Sequence, residues 1–128
     1  MNKLIIDVAS EKIFLMIISN ASIYNITHEN TKINYEKLTI IINDFLSSKS
    51  IKIADINAIY INQGSGSFAG IRNSMSVVKA FNIAKKIDYY CYNLHDFKKD
   101  KDFSYENIPD LCKKYKIKKN LINPIYIS

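Results

Sequence analysis

The first 27 residues alternate short apolar runs with polar breaks, a pattern typical of β-strands joined by tight turns. The run from Leu4 to Val8 predicts a buried strand, and the run in "KIFLMIIS" is too short for a helix. Ser19 and Asn20 then form a two-residue turn into "ASIYNIT", which predicts a third strand. We therefore predict a three-stranded meander at the N-terminus.

From residue 34 onward the apolar spacing changes to three and four residues. Two segments with this spacing predict amphipathic helices, with Leu38, Ile41, Ile42, Phe45 and Leu46 in the first and Phe68, Ile71, Met75, Val78 and Phe81 in the second. Asn34, or Thr31 upstream, can cap the first helix because a short polar side chain satisfies free amides of the first turn.

The second helix lies between two apolar runs, at residues 56–62 and 88–93, that predict strands. A strand, helix, strand order forms a right-handed crossover, so these two strands should be parallel neighbours. Further along, "DFKKDKDF" predicts a loop, "IPDLCKKYK" one or two helical turns with Pro109 near their start, and "LINPIYIS" an extended segment. The predicted class is α/β, with a mixed five-stranded sheet.

Composition places the chain among folded proteins of about one domain. It has 128 residues, of which 48% are hydrophobic and 23% charged. No apolar run approaches the roughly 20 residues of a membrane span, and we expect no signal peptide. Cys91 and Cys112 lack metal-ligand spacing, so we expect two reduced thiols, no metal and a cytoplasmic location.

The net charge of +6 changes this picture only a little. Basic residues concentrate in "HDFKKDKDF" and "CKKYKIKKN", and a basic segment can approach nucleic acid by counterion release. The chain is also rich in Ile, Asn and Lys throughout, as is usual for AT-rich genomes. Without an aromatic-interleaved RNA motif, this compositional interpretation is favoured over a nucleic-acid role.

All three glycines, Gly64, Gly66 and Gly70, lie in "GSGSFAGIR", between a predicted strand and a predicted helix. Glycine there permits positive φ and close backbone approach, and Ser67 is placed to cap the helix. Exposed amides at the helix start could also hold an anion. The spacing fits neither a Walker loop nor a dinucleotide fingerprint, so a structural turn is favoured over a ligand site.

The same stretch, "GSGSFAGIR", resembles the G-P-G-S-F-T-G-x-R signature of the TsaB (YeaZ) family, departing from it at Ser65 and Ala69. The opening "LIIDVAS" is similar to the family's L-x-I-D-T-S strand. "DINA" and the helical segment before it are also family-like, and the closing "NPIYIS" resembles P-x-Y-L-R. Residues 1–93 align with the family without a large gap.

The resemblance implies the actin-like ATPase (ASKHA), RNase H-like fold and a non-catalytic role without a cofactor. TsaB-like proteins are scaffolds and activators that pair with the paralogous TsaD, and the ATPase TsaE joins them. TsaD transfers the threonylcarbamoyl group to adenosine 37 of tRNAs that read codons beginning with A. By this resemblance the chain would meet tRNA only indirectly, and no membrane.

The chain departs from the family in length, because only about 35 residues follow residue 93. We therefore expect an ASKHA-like N-terminal domain at residues 1–93, a vestigial C-terminal segment at residues 94–128, and a second lobe that is largely absent. Association with a TsaD-like subunit, or of two copies as a homodimer, would cover exposed apolar surface.

The resemblance also implies roles for two groups of residues. The structural glycine loop comprises Gly64, Gly66, Ser67, Gly70 and Arg72. For a partner interface we predict Phe68, Ile71, Ser74, Met75 and Val78. A second, small-residue face at Ser74, Val77, Ala80 and Phe81 could pack against a partner helix or, instead, on the helix at residues 34–46 of the same subunit. Arg72 could bind an anion, but we favour a brace of the loop by pairing with a carboxylate or with carbonyl groups. No catalytic residue is predicted.

Asp7 lies on the first strand, where active ASKHA enzymes carry an acidic residue that helps to hold metal and phosphates. Val8 and Ala9 replace the hydroxyl residues that normally follow, so we interpret Asp7 as a cap for the strand end. The alternative function is a small phosphate- or nucleotide-binding enzyme that uses the loop at residues 64–72 with Asp7. His28 and His95 are the distant candidates for its base.

Overall fold

A mixed five-stranded sheet forms the centre of the computed structural model, which describes residues 1–100, 103–122 and 126–127. The strands are β1 (Asn2–Asp7), β2 (Lys12–Ile18), β3 (Ile23–Glu29), β4 (Ile56–Asn62), β5 (Gly66–Ser67), β6 (Asp88–Tyr92) and β7 (Tyr126–Ile127). The five-stranded sheet has the order β3-β2-β1-β4-β6, while β5 and β7 form a separate parallel pair.

The strand directions confirm the predicted topology. β1, β2 and β3 pair antiparallel, as expected for a meander, whereas β4 pairs parallel with both β1 and β6. The predicted parallel neighbours are in direct register, with Ile59 opposite Tyr89 and Tyr60 opposite Tyr90. The predicted α/β class with a mixed five-stranded sheet is thus confirmed.

Among the described residues, four α-helices accompany the sheet: α1 (Lys32–Glu36), α2 (Leu38–Ser48), α3 (Phe68–Lys85) and α4 (Ile108–Lys114). The prediction of one helix over residues 34–46 was wrong, because the chain breaks at Lys37 into α1 and α2. Lys37 has ψ of 17° and donates its backbone N–H to the Asn34 carbonyl, three residues back. This tighter, three-residue turn separates α1 from α2.

Thr31, one of the two predicted caps, begins the first helix. Its hydroxyl oxygen accepts a hydrogen bond from the Asn34 backbone N–H at 3.3 Å. Asn34 itself lies inside α1 and donates its side-chain amide to the Glu29 carbonyl at 2.8 Å, which joins the helix to the end of β3. A threonine hydroxyl at this position satisfies an amide that has no partner within the helix.

Apolar residues on the two faces of the sheet belong to two separate cores. Along β1, Leu4 and Ile6 point into the first core and Ile5 into the second, since successive side chains of a strand face opposite sides. All three are fully buried, which explains the uninterrupted apolar run at the N-terminus. Helices α2 and α3 cover the first core with residues such as Ile42 and Met75.

The segment after β6 covers the second core. Two 3₁₀ turns, Leu94–Phe97 and Tyr105–Asn107, lead into α4, and Pro109 stands in its first turn as predicted. Phe97, Ile108, Leu111 and Cys112 of this segment pack with Ile5, Met16, Tyr60 and Tyr92 of the sheet. Half of "LINPIYIS" lies outside the described residues; within it, Tyr126–Ile127 is extended.

Two further expectations concern the environment of the chain. In the described ranges, no helix combines the length and apolar character that a bilayer crossing requires. Cys91 and Cys112 are free thiols in the interior, and burial raises the pKa of each to about 12. Both therefore stay protonated at neutral pH and act as small apolar side chains.

We predict that Ile108→Ala lowers the free energy of unfolding by about 2–5 kcal/mol, because Ile108 is fully buried in the second core. Leu121→Ala is the matched control: Leu121 is 55% exposed, and its truncation should change stability by no more than about 0.5 kcal/mol. Urea unfolding followed by circular dichroism measures both. A small effect of Ile108→Ala would mean that the C-terminal segment contributes little to the folded unit.

Candidate functional site

The glycine loop at residues 64–70 joins the end of β4 to the start of α3. Gly64 has φ of 132°, a backbone conformation that residues with a side chain rarely adopt, so a glycine is favoured there. Gly66 and Gly70 are required for a different reason, because neighbouring backbone atoms leave no space for a side chain. A Cβ atom on Gly66 would lie 2.3 Å from the Ala9 carbonyl oxygen, and one on Gly70 would lie 2.4 Å from that of Val8.

Two backbone amides of the loop are hydrogen-bonded within the protein. The Ser67 N–H donates to the Ala9 carbonyl at 3.1 Å, and the Gly64 N–H donates to the Asn62 side-chain oxygen at 2.9 Å. Ser67 stands at the N-cap of α3, as predicted, but its side chain makes no capping hydrogen bond. These two amides are not available to a phosphate cradle, and Gly66 and Gly70 serve close backbone contacts, so the geometry favours the structural turn.

Arg72 lies on the surface of α3 rather than inside the loop. Its guanidinium group stands over the Phe68 ring, 5.8 Å from the centroid. In the described part of the chain this guanidinium group forms no ion pair or hydrogen bond, so the structure does not show the expected brace to a carboxylate or carbonyl. The contact with Phe68 is one that arginine makes through its flat, weakly hydrated head group.

The predicted partner residues divide into one exposed and four buried side chains. Phe68 is 47% exposed. Ile71, Ser74, Met75 and Val78 are buried in their own subunit, and the Ser74 hydroxyl donates to the Ile71 carbonyl at 2.9 Å. Ile71, Met75 and Val78 pack in the first core with residues of the sheet and of α2, so contacts within their own subunit account for their burial.

The exposed side of α3 carries a different stripe. Phe68, Arg72, Ser76, Ala80 and Ile83 recur every three to four residues and are all exposed, with Ile83 at 71%. The first part of this stripe borders a groove of about 360 Å³ whose other wall is formed by Lys32, Tyr35 and Glu36 of α1. We refer to the stripe and groove together as the helical face.

A second cluster of polar residues lies where the parallel strands end. Asp7 ends β1, Asn62 ends β4 and Asn93 follows β6, and all three side chains are buried at the carboxyl edge of the sheet. Gln63 is buried beside them and donates its side-chain amide to the Cys91 carbonyl at 3.3 Å. This edge is the usual place for ligands in α/β sheets.

The Asp7 carboxylate is surrounded by three donors of the same chain. Oδ1 accepts the Ala9 backbone N–H at 3.0 Å, and Oδ2 accepts the Asn62 amide at 3.1 Å and the Tyr105 hydroxyl at 2.8 Å. The Tyr105 ring stacks on Phe14, with centroids 4.0 Å apart. Asp7 is only 2% exposed, so its bonds hold the strand end and the segment after β6 together.

Burial and the negative charge of Asp7 act on the tyrosines next to it. Burial is the larger cause that raises the pKa of Tyr105, and the Asp7 charge and hydrogen bond raise it further. Tyr92 is completely buried and its pKa is raised well above the ordinary value by burial first and then by Asp7. Both hydroxyls therefore remain protonated at neutral pH, and that of Tyr105 is a donor to the carboxylate.

The sequence alone did not identify the other members of this cluster. Asn62 and Gln63 come directly after a buried apolar run, and Asn93 comes after the next such run. Polar residues at the ends of two predicted parallel strands indicate the carboxyl edge of the sheet, so these three could have been predicted. Tyr105 gave no such signal, because it lies 98 residues from Asp7 in a segment without periodic pattern.

Fewer features of the structure support the alternative function, a small phosphate- or nucleotide-binding enzyme. His95 lines a cavity of about 310 Å³ together with Ser65 of the glycine loop, Asn93 and Leu94. His28 lies on β3 opposite Ile13, on the far side of β2. Within the described ranges, no group of three or more His, Cys, Asp or Glu side chains is arranged to hold a metal ion.

We predict that Gly70→Ala destabilises the fold by about 1–3 kcal/mol, because the added Cβ would overlap the Val8 carbonyl. The sign is informative, since a glycine to alanine change inside an ordinary helix gains about 1 kcal/mol. Ser76→Ala on the exposed side of α3 is the control and should be neutral or slightly stabilising. Thermal and urea unfolding measure both, and a stabilised Gly70→Ala variant would contradict the close approach.

We predict that Tyr105→Phe lowers the free energy of unfolding by about 1–3 kcal/mol at pH 7.5, because the buried Asp7 carboxylate loses one donor. Tyr92→Phe is the matched control: in the described ranges the Tyr92 hydroxyl has no hydrogen-bond partner, so its removal should be neutral or stabilising. Urea unfolding of the three proteins tests this. Equal effects of the two substitutions would contradict the assigned role of Tyr105.

The same hydrogen bond should also appear in the pH dependence. A tyrosine whose pKa is raised by folding stabilises the protein fully below its ordinary value of 10.0, and this contribution is lost as the pH rises further. The wild type should therefore lose more stability above pH 10 than Tyr105→Phe does. The remaining alkaline loss comes from the other groups whose pKa values are raised in the folded protein, among them Tyr92, Tyr89, Tyr60 and the two cysteines.

Comparison with solved structures places this architecture among known folds. The chain is similar to YeaZ from Pseudomonas aeruginosa, with a TM-score of 0.66 and 17% identity over 72% of this chain and 43% of that one. An uncharacterized protein with similarity to peptidase YEAZ from Pseudomonas aeruginosa gives a TM-score of 0.67 at the same identity and coverage. The chain thus spans less than half the length of these structures.

RuvC from T. thermophilus is a more distant likeness. The match has a TM-score of 0.51 and 9% identity over 90% of this chain and 78% of RuvC. RuvC in complex with Holliday junction substrate gives a TM-score of 0.53 at 9% identity, over 77% of this chain and 68% of that one. No protein-family model matches the chain, and no curated protein matches its sequence significantly. The likenesses show an RNase H-like fold, corresponding to one half of the ASKHA architecture.

Proposed function

We propose that this chain is a non-catalytic scaffold and activator subunit, which binds a TsaD-like threonylcarbamoyltransferase in the formation of N6-threonylcarbamoyladenosine at tRNA position 37. The observation that carries the proposal is the glycine loop. Its "GSGSFAGIR" sequence resembles the TsaB signature, and its glycines bring α3 against β1 in a fold similar to that of YeaZ.

The state of Asp7 supports a non-catalytic role. Both carboxylate oxygens accept hydrogen bonds from neighbouring groups of the chain, and Tyr105 covers one of them. An acidic residue that binds a metal or a reacting group must present an oxygen to it. Here the segment after β6 occupies that position, so Asp7 serves the fold. The chain would act in the cytoplasm without a cofactor of its own.

The helical face is the part of the molecule that we assign to the partner. Phe68 and Ile83 provide exposed apolar anchors at the two ends of the stripe, and Ser76 and Ala80 between them are small. Small side chains allow a second helix to approach closely, while large apolar anchors contribute most of the burial energy. This face replaces the stripe of Ile71, Met75 and Val78, which is buried in the chain's own core.

The other members of the proposed assembly follow from the resemblance alone. A TsaE-like ATPase would join the pair, and tRNA would be bound through TsaD rather than by this chain. Within the proposal, residues 1–93 are the ASKHA-like domain and residues 94–128 are a vestigial C-terminal segment. If no TsaD-like subunit is present, two copies of the chain could cover their helical faces as a homodimer.

We expect the chain to form a stable complex with the TsaD-like protein of the same genome when the two are co-expressed, as seen by size-exclusion chromatography with light scattering. Ala80→Arg should abolish the complex, because it places a long charged side chain in the middle of the helical face. Ala54→Arg is the matched control, since Ala54 is equally a surface alanine but lies in the 3₁₀ turn Ile53–Asp55, outside the helical face.

Two outcomes would contradict this proposal. A complex that forms equally well with Ala80→Arg and with Phe68→Asp would exclude the helical face as the binding surface. Separate elution of the two wild-type proteins at both low and high salt would exclude the TsaD-like partner. Binding of ATP by the isolated chain, lost in His95→Ala, would then favour the enzyme alternative at the cavity next to Ser65.

A further inference from the structure

The second face of the sheet carries a cavity that the proposed function does not use. It measures about 480 Å³, within the range of small-molecule pockets, and lies between α4 and strands β1, β4 and β6. The helical face is on the opposite side of the sheet, so a ligand here and a protein partner there would not compete for space.

Two stacked tyrosines form one wall of this cavity. Tyr60 on β4 and Tyr90 on β6 are directly opposite in the parallel ladder, and their rings lie 5.0 Å apart at an angle of 11°. Tyr60 is 7% exposed and Tyr90 is half-buried. In a stacked pair each ring covers one face of the other, so a further planar ring can stack only on an outer face, and Tyr90 is the more exposed of the two rings.

Three lysines surround the aromatic wall. Lys3 comes from β1, Lys113 from the last turn of α4, and Lys116 from the turn that follows. Of the residues that the structure describes, Asp110 is the one carboxylate in the lining. Burial raises the pKa values of Tyr60 and Cys112, which also line the cavity, to about 12, so both are neutral at physiological pH. The lining therefore carries a positive excess.

The lysines of the cavity differ from other lysines of the same segment. Lys114 pairs with Asp100 at 3.0 Å and Lys119 with Asp88 at 3.5 Å. Within the described ranges, Lys3, Lys113 and Lys116 form no ion pair. Lys113 nevertheless adjoins the paired Lys114 in the sequence, and Lys116 is three residues from the paired Lys119. Their ammonium groups remain available to an anion, which lysine binds as a point charge.

We propose that this cavity binds a nucleoside monophosphate, with its base stacked on Tyr90, the more exposed ring of the Tyr60–Tyr90 pair, and its phosphate held by Lys3, Lys113 and Lys116. The ligand class follows from the combination of an accessible aromatic ring with a cluster of lysines that form no ion pair within the described ranges. An isolated phosphate would leave the tyrosines unused, and an uncharged aromatic compound would leave the lysines unused. The site is separate from the glycine loop and does not depend on the TsaD-like partner.

The test is an NMR titration of the ¹⁵N-labelled chain with AMP and UMP as probes. We expect a Kd below about 1 mM for at least one probe, with the largest shifts at the amides of residues 3, 60, 90, 113 and 116. Adenosine lacks the phosphate and ribose 5-phosphate lacks the base, so each should bind at least about tenfold more weakly than AMP.

Two variants and one control locate the site. Lys113→Glu, on the exposed end of α4, should weaken nucleotide binding at least about tenfold. Tyr90→Leu keeps the apolar volume but removes the ring, and it should reduce affinity for AMP more than for ribose 5-phosphate. Lys79→Glu makes the same charge change on α3, on the other side of the sheet, and should leave binding within about twofold of wild type.

Three results would overturn the proposal. The first is the absence of shifts with either nucleotide at millimolar concentration. The second is binding that Lys113→Glu and Tyr90→Leu leave unchanged, since the nucleotide would then bind elsewhere. The third is an equal loss in Lys113→Glu and Lys79→Glu, which would show attraction to the net charge rather than to this cavity.

Discussion

The close contact between the glycine loop and the backbone after β1 is the constraint on which the other elements depend. The carbonyl oxygens of Val8 and Ala9 occupy the space that side chains on Gly70 and Gly66 would need. Helix α3 can therefore begin directly against the end of β1, and its inner side covers the first core. The chain can then return to the sheet as β6, parallel to β4.

The same short backbone segment is held from its other side by the chain's C-terminal part. Asp7 lies immediately before Val8 and Ala9, and its carboxylate receives the Tyr105 hydroxyl. Asp7 lies at the carboxyl edge of the sheet, where α/β proteins commonly bind ligands. Here its carboxylate instead joins two distant parts of the chain. The fold keeps the architecture of the RNase H-like half while using this position for internal stabilisation.

The sequence predicted those features that depend on local periodicity and on rules of chain connection. The meander, the crossover through α3 and the parallel pairing of β4 with β6 followed from apolar spacing alone. The break at Lys37 was missed because the apolar stripe continues across it. The burial of Ile71 and Met75 could not be separated from a partner contact, since an apolar stripe has the same spacing whether its own sheet or another protein covers it.

The division of the sheet's two faces between distant segments affects how the protein is made. The helices that cover the first core all precede residue 86, so that side can be closed while translation continues. Ile5, Met16 and Tyr60 are covered by the stretch from Phe97 to Cys112, which leaves the ribosome after α3 is complete. During that interval the nascent chain presents an open apolar surface, the kind of surface that chaperones bind.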